Sequence, residues 1–175
     1  MIKNSNLSNA AENTLYNNIL SMSRNRLFYK DFYLSDTFHN RINLIFLHSS
    51  FLFIKIKDKN KKSKNNIFAQ KFFNLLFYNI ELNMRELGFG DVNVNKNMKY
   101  LVRVFYNILL NCEKYKNKNL KSKTSFLIRY LELNISQNNN IIATLVNYFD
   151  KYESFCFDLS SDSVLSGKIN FKNYK

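Results

Sequence analysis

Residues 70–106 read QKFFNLLFYNIELNMRELGFGDVNVNKNMKYLVRVFY, and this stretch decides the fold. It contains two of the chain's three glycines, Gly88 and Gly90. We expect a first helix that ends at Leu87, because Gly88 can adopt the left-handed conformation that closes a helix. We expect a second helix to begin near Asn93, whose side chain can cap it. On both sides of the glycines, apolar residues recur at the spacing of one helix face: Ala69, Phe72, Phe73, Leu76, Ile80 and Leu87 before them, and Val94, Met98, Leu101, Val102, Phe105, Leu109 and Cys112 after them.

The corner between these two helices has two interpretations. In the first it is only a helix–helix turn, with Arg85 and Asp91 paired across it. In the second it is a rigid platform that presents Phe89 and its charged neighbours to a partner. Residue chemistry alone leaves both open.

A row of basic residues follows on the second helix. Lys96, Lys99 and Arg103 share a face opposite the apolar stripe, close to Tyr100 and Tyr106. This face is either simply solvated or a basic and aromatic strip for lipid headgroups, ribosomal RNA or an acidic loop of a partner.

The rest of the chain predicts more helices and no strand. Helices are expected from Ser8 or Asn9 to about Lys30, from Asp36–Thr37 to about Lys57, from Thr124 to about Leu133 and from Ile141 to about Phe157. Polar loops at 58–66, 114–123 and 134–140 separate them. Asn9 and Glu12 are placed as a capping box. The fold class is therefore an all-α, single-domain bundle of about five or six helices, with a flexible tail at 1–7, a helical domain at 8–158 and an irregular tail at 159–175.

Composition and net charge limit the classes of function that the chain can have. At 175 residues the chain is long enough for one hydrophobic core. The net charge of +13 is typical of proteins that bind nucleic acid or an anionic membrane. An A/T-rich coding sequence would also enrich lysine and asparagine, so the charge has a second explanation. A small basic helical nucleic-acid-binding protein is the alternative function.

Neither catalysis nor a cofactor is expected. The sequence has no nucleotide-binding glycine loop, catalytic triad order or metal-ligand spacing. His48 lies on an apolar face and is either a hydrogen-bonded core residue or the support of a binding groove, while His39 is expected to be exposed. Cys112 and Cys156 fall at apolar positions, as buried free thiols do. The first residues lack the apolar core of a signal peptide, and the apolar run 42–56 is shorter than the roughly twenty residues that span a bilayer, so it predicts a buried helix.

Three groups of residues form a family signature. The central group is Gln70, Arg85–Asp91, Lys96, Met98, Lys99, Phe105 and Tyr106; the upstream group is Leu15, Tyr16, Arg26, Phe28, Tyr29, Asp36, Thr37, Arg41, Leu47 and His48; a weaker downstream group is 167–171. On these residues the chain resembles the ubiquinol–cytochrome c chaperone family, the assembly factors of the cytochrome bc1 complex in mitochondria and some bacteria. It departs from the family at Ser35, where a proline is usual, and at Asn107–Ile108, where Gly-Arg is usual.

The resemblance implies a non-catalytic assembly chaperone for respiratory complex III that binds newly made cytochrome b. Its surroundings would be the cytoplasm and the inner face of the membrane, with the ribosome or an anionic membrane surface as a further contact and no small-molecule substrate. The resemblance implies two sets of site residues: partner-binding Phe89, Lys96, Lys99 and Tyr106, and site-shaping His48, Arg85, Gly88, Gly90 and Asp91.

Overall fold

A computed structural model describes residues 10–57, 63–133 and 139–171. Within these ranges the chain is all-α, as the sequence predicts, and its one β-feature is an isolated bridge between Leu34 and Leu133. Six helices have eleven or more residues and two have five. They are α1 (Ala10–Ser23), α2 (Arg26–Lys30), α3 (Phe38–Ile56), α4 (Lys64–Glu86), α5 (Asp91–Glu113), α6 (Leu120–Tyr130), α7 (Asn139–Asp158) and α8 (Ser161–Leu165), with one 3-10 turn at Tyr115–Asn117.

Helix α3 is the centre of the bundle. Thr37 caps it by accepting a hydrogen bond from the Asn40 backbone N–H at 3.2 Å, and every residue from Ile42 to Leu52 is buried. Helices α1, α4, α5, α7 and α8 all pack against it. A helix that is apolar nearly all round must be enclosed in this way, so the prediction of a buried rather than membrane-spanning helix is confirmed for the run 42–56.

Aromatic rings fill the core on both sides of α3. On one side Phe46 and Phe105 meet edge to face with ring centroids 5.3 Å apart. On the other side Phe51 of α3 and Tyr152 of α7 meet edge to face at 6.0 Å. Such pairs add about 0.5–1.5 kcal/mol beyond the area that they bury, so they hold α5 and α7 to opposite faces of the central helix.

The segment after Leu159 packs onto the bundle. It contains the short helix α8, which the sequence did not predict, and its remaining described residues are irregular. Gly167 follows α8 with a φ of +71° and lies against the backbone of α1. Ile169 is buried, and the Phe171 ring lies 5.2 Å from that of Tyr152. The downstream part of the family signature therefore covers α1 and α7.

The first predicted helix is wrong beyond Ser23. Instead of continuing to Lys30, the chain breaks at Arg24–Asn25, and Asn25 caps α2 by accepting a hydrogen bond from the Leu27 N–H at 3.0 Å. The break turns Phe28 into the core. The predicted capping of α1 by Asn9 and most of the polar break at 134–140 lie outside the described residues.

Four other helix starts were misplaced by two to four residues, and among them α7 begins at Asn139 rather than Ile141. Helix α4 begins at Lys64 after a Ser63 cap, so the end of the predicted loop 58–66 is helical. Helix α5 begins at Asp91 rather than Asn93, and α6 begins at Leu120, capped by Asn119 rather than Thr124. In a chain this rich in Asn and Ser, several residues near each start can cap, and the core decides which one does.

Candidate partner-binding surface

The corner between α4 and α5 is a well-ordered helix stop followed at once by a helix start. Gly88 has a φ of +86°, and its N–H donates to the Arg85 carbonyl at 2.9 Å. The Phe89 N–H donates to the Met84 carbonyl at 3.1 Å, which completes a Schellman motif. Gly90 then serves as the N-cap of α5, with ordinary backbone angles and open space where a Cβ would stand. The predicted role of Gly88 is confirmed, whereas Gly90 needs no special conformation.

Arg85 spans the corner. Its guanidinium pairs with the Asp91 carboxylate across the turn and with the Glu81 carboxylate one turn back on α4, at 2.9 Å. The predicted Arg85–Asp91 pair is therefore present. All three side chains are solvated, and exposed pairs contribute at most about 1 kcal/mol. The pairs mainly fix the orientation of the guanidinium, and Phe89 beside them is 39% exposed.

Helix α5 presents one continuous exposed face, which we call the α5 outer face: Val92, Lys96, Lys99, Arg103, Tyr106 and Leu110. The spacing of these residues puts them within one stripe of the helix. No ion pair within the described ranges involves Lys96, Lys99 or Arg103. Sequence reasoning missed Val92 and Leu110, although their spacing from Lys96 and Tyr106 was visible.

An aromatic groove runs between α4 and α5, and we call it the α4–α5 groove. Its volume is about 590 Å³. The floor contains Phe53, Phe73 and Phe105, with the Phe73 and Phe105 ring centroids 5.6 Å apart. Tyr106, 49% exposed, and Ile67, 51% exposed, stand at its edges. Phe73, predicted as core, is only half-buried, because its ring lines this open groove.

The predicted partner-binding residues lie along one hairpin but do not meet at one point. Tyr106 is fifteen residues beyond Asp91, which places it about 22 Å along α5 from the corner. Lys96 and Lys99 lie between the corner and the groove on the same outer face. The surface is therefore a strip that runs from Phe89 at the corner to Tyr106 at the groove.

A second, smaller cleft opens beside the corner. Its volume is about 190 Å³, and it lies between α1, α3 and α4. Leu20, Ile45 and Leu87 supply apolar walls, and Arg24 and Glu86 stand at its border. Leu87, the last residue before the corner glycine, is largely exposed. Apolar surface is thus open on both sides of the end of α4.

His48 is not part of this strip. It is fully buried in the aromatic cluster between α3 and α7, so the interpretation of a hydrogen-bonded core residue is confirmed. Its Nδ1 donates to the Leu44 carbonyl at 2.7 Å, which leaves Nε2 to accept the Tyr148 hydroxyl at 2.8 Å. Burial lowers the pKa of His48 to about 4, so the ring is neutral. His39, expected to be exposed, is half-buried, and its Nε2 lies 2.9 Å from the Asn43 amide.

Among the described residues, the remaining reactive side chains form no metal-binding group. Cys112 and Cys156 are buried free thiols, as predicted, and burial raises the pKa of each. Across residues 10–57, 63–133 and 139–171, no group of three or more His, Cys, Asp or Glu side chains is placed to hold a metal ion. None of the helices in these ranges combines the length and hydrophobicity needed to cross a bilayer.

The sequence profile of the ubiquinol-cytochrome C chaperone family matches residues 30–171. The chain belongs to this family. The match includes the corner, the α5 outer face and the α4–α5 groove, which confirms the resemblance seen in the sequence.

A solved structure shares the fold. The crystal structure of the Cbp3 homolog from Brucella abortus superposes with a TM-score of 0.81 at 23% sequence identity. The alignment covers 95% of this chain and 91% of that one. At this identity the likeness concerns the fold. No curated protein matches the sequence.

Proposed function

We propose that this member of the ubiquinol–cytochrome c chaperone family is a non-catalytic assembly chaperone of the cytochrome bc1 complex that binds newly made cytochrome b. The observation that carries the proposal is the α4–α5 groove. Three residues of the family signature, Gln70, Phe105 and Tyr106, line this open aromatic groove. An exposed concave apolar surface of this kind is typical of a site that binds a protein partner.

The physical mechanism is capture of an apolar helix. Cytochrome b is a membrane protein, so its helices are apolar before they are inserted and assembled. A helix can lay its apolar face in a hydrophobic groove, here against Phe73 and Tyr106. The lysines of the α5 outer face, Lys96 and Lys99, then meet acidic groups of the client or its surroundings, and Phe89 extends the contact to the corner.

The other site residues act by holding the hairpin in shape. Gly88 sets the turn, Gly90 is the N-cap of α5, and Arg85 and Asp91 bridge the turn. His48 acts indirectly. Its hydrogen bond to Tyr148 joins α3 to α7, and α5 packs against α3. Such a protein works in the cytoplasm at the inner face of the membrane, where the ribosome or anionic lipid supplies a further contact.

Affinity purification of the tagged chain from its own cells tests this proposal. We expect cytochrome b to be enriched over other abundant membrane proteins. Lys96→Glu combined with Lys99→Glu, or Tyr106→Ser alone, should reduce recovery at least severalfold without unfolding, since all three residues are exposed. The matched control is Lys30→Glu with Lys168→Glu, which makes the same charge change at exposed sites outside the strip.

Two results would contradict the proposal. The first is unchanged recovery of cytochrome b from the variants, which would place the client elsewhere on the chain. The second is recovery of salt-labile nucleic acid with no cytochrome b, which the alternative of a basic nucleic-acid-binding protein predicts, because phosphate contacts weaken steeply with salt.

A further inference from the structure

A cationic cavity lies where α5, the 3-10 turn and α6 meet. Its volume is about 350 Å³, and its polar lining comprises Asn111, Lys118, Lys121, Ser122, Ser125 and Arg129. None of the lining residues is acidic. Three cations, two hydroxyls and an amide around one concavity form the donor set that a phosphate group requires.

The Lys118 side chain packs against the wall of the cavity rather than extending into solvent. Its ammonium donates to the Asn111 side-chain oxygen at 2.8 Å and lies 4.6 Å from the centre of the Phe126 ring. Burial lowers the pKa of Lys118, and the charges of Arg129 and Lys114 lower it further. A bound anion would offset both effects, because it favours the charged ammonium.

Within the described ranges, the cations that line the cavity have no carboxylate partner. Residues 114–129 contain six Lys or Arg and no Asp or Glu. Among the described residues, Lys123 pairs with Asp150 at 2.8 Å, whereas Lys118, Lys121 and Arg129 have no ion pair. A coding bias toward lysine would raise the number of lysines, but it would not gather them with serines around a cavity.

Exposed leucines flank the cavity in sequence. Leu110, 58% exposed, precedes the lining residue Asn111, and Leu120, 59% exposed, precedes the lining residue Lys121. Basic residues with exposed apolar side chains are the composition of surfaces that bind at the interface of an anionic bilayer. Single-stranded RNA would instead call for exposed aromatic rings on which bases stack, and the one lining ring, Phe126, is buried.

We propose that this cavity binds the headgroup phosphate of an anionic phospholipid while Leu110 and Leu120 enter the bilayer interface. Lys121 and Arg129 supply positive charge, and the hydroxyls of Ser122 and Ser125 donate to phosphate oxygens. The site gives a location to the membrane contact of the proposed function. The lipid site depends on the proposed function only for its biological role, because bilayer binding is measured without a client.

Vesicle co-sedimentation of the full chain tests the site. We expect binding to phosphatidylcholine vesicles that contain about 30% phosphatidylglycerol, at about 0.1 M salt, and little binding to pure phosphatidylcholine. Lys121→Gln with Arg129→Gln should lower the partition coefficient on the order of 30-fold, because each basic residue near such a surface contributes about fivefold. Lys30→Gln with Lys168→Gln removes the same charge elsewhere and should change it by no more than about threefold.

A second variant distinguishes the apolar contribution of the site from the effect of net charge. Leu110→Ser with Leu120→Ser keeps the net charge and should lower the partition coefficient by at least about tenfold, because the apolar contribution is lost. The proposal is overturned if the Lys30/Lys168 control loses as much binding as the Lys121/Arg129 variant, if the leucine variant binds normally, or if pure phosphatidylcholine binds equally well. An RNA oligonucleotide that binds the chain more tightly than the vesicles and depends on Lys121 and Arg129 would overturn it too.

The vesicle assay and the client assay test the two proposals independently of each other. If the Lys121/Arg129 variant loses vesicle binding and still recovers cytochrome b, both proposals stand. Loss of cytochrome b recovery from the Lys96/Lys99 variant with normal vesicle binding would likewise agree with both. Vesicle binding that is insensitive to Lys121 and Arg129 overturns the lipid site alone.

Discussion

Replacing Gly167 with alanine should separate the C-terminal segment from α1. The new Cβ would lie 2.3 Å from the Ala11 carbonyl oxygen and 2.9 Å from the Leu15 nitrogen, and both are backbone atoms that cannot rotate away. The segment must therefore move. Its movement would break the hydrogen bond from the Asn18 amide to the Gly167 carbonyl, which is 2.8 Å long, and expose Ile169.

The expected loss is about 4 kcal/mol. A positive φ costs alanine about 1 kcal/mol, the hydrogen bond contributes about 1 kcal/mol, and burial of Ile169 contributes about 2 kcal/mol. For a chain of this length the melting temperature should fall by about 8–16 °C. Gly88→Ala is the matched control, since Gly88 also has a positive φ but open space around its Cβ position. It should cost only about 1 kcal/mol.

Urea and thermal unfolding followed by circular dichroism measure both variants beside the wild type. The reasoning requires Gly167→Ala to be less stable than Gly88→Ala by roughly 3 kcal/mol, since only the former meets backbone. Equal losses in the two variants would refute the close approach of Gly167 to α1 and leave only the cost of the backbone angle.

Three further predictions concern the core. As the pH falls from 6.5 to about 4, His48 takes up a proton in the unfolded chain but stays neutral in the folded one. The free energy of unfolding should therefore fall by up to about 3 kcal/mol. Urea midpoints should show this decrease in the wild type and not in His48→Gln. Asn40→Ala should cost about 3 kcal/mol in the same assay, because the amide makes three hydrogen bonds to Ser35 and Glu132. Cys112 and Cys156 should react with a thiol reagent only after unfolding.

The helical architecture was predictable because it depends on periodicity. Apolar spacing located α3, α4, α5 and α7, and the glycine after Leu87 located the stop of α4, since a left-handed backbone position has few alternatives to glycine. Helix starts were less predictable. Asn25 and Asn119 cap helices here while Thr124 does not, and only packing against the rest of the bundle distinguishes such residues.

The candidate site was predictable in part. The Arg85–Asp91 pair follows from their positions on either side of a short turn, and the exposed lysines follow from helix geometry. The α4–α5 groove depends on how far apart two helices pack, which no local pattern specifies. His48 shows the same limit: its family match gave no sign that the ring lies against α7 instead of beside the corner. The cationic cavity requires α5 and α6 to be brought together around Lys118, which is a tertiary feature.

Site-specific photocrosslinking tests the central claim most directly, namely that cytochrome b binds along the α4–α5 hairpin. A photoreactive phenylalanine analogue at Tyr106, on the groove, is compared with the same analogue at Phe157 on α7, which is 44% exposed and therefore similarly accessible. We predict a crosslink to cytochrome b from position 106 and none from position 157. A crosslink from position 157 alone, or equal crosslinks from both, would contradict the account.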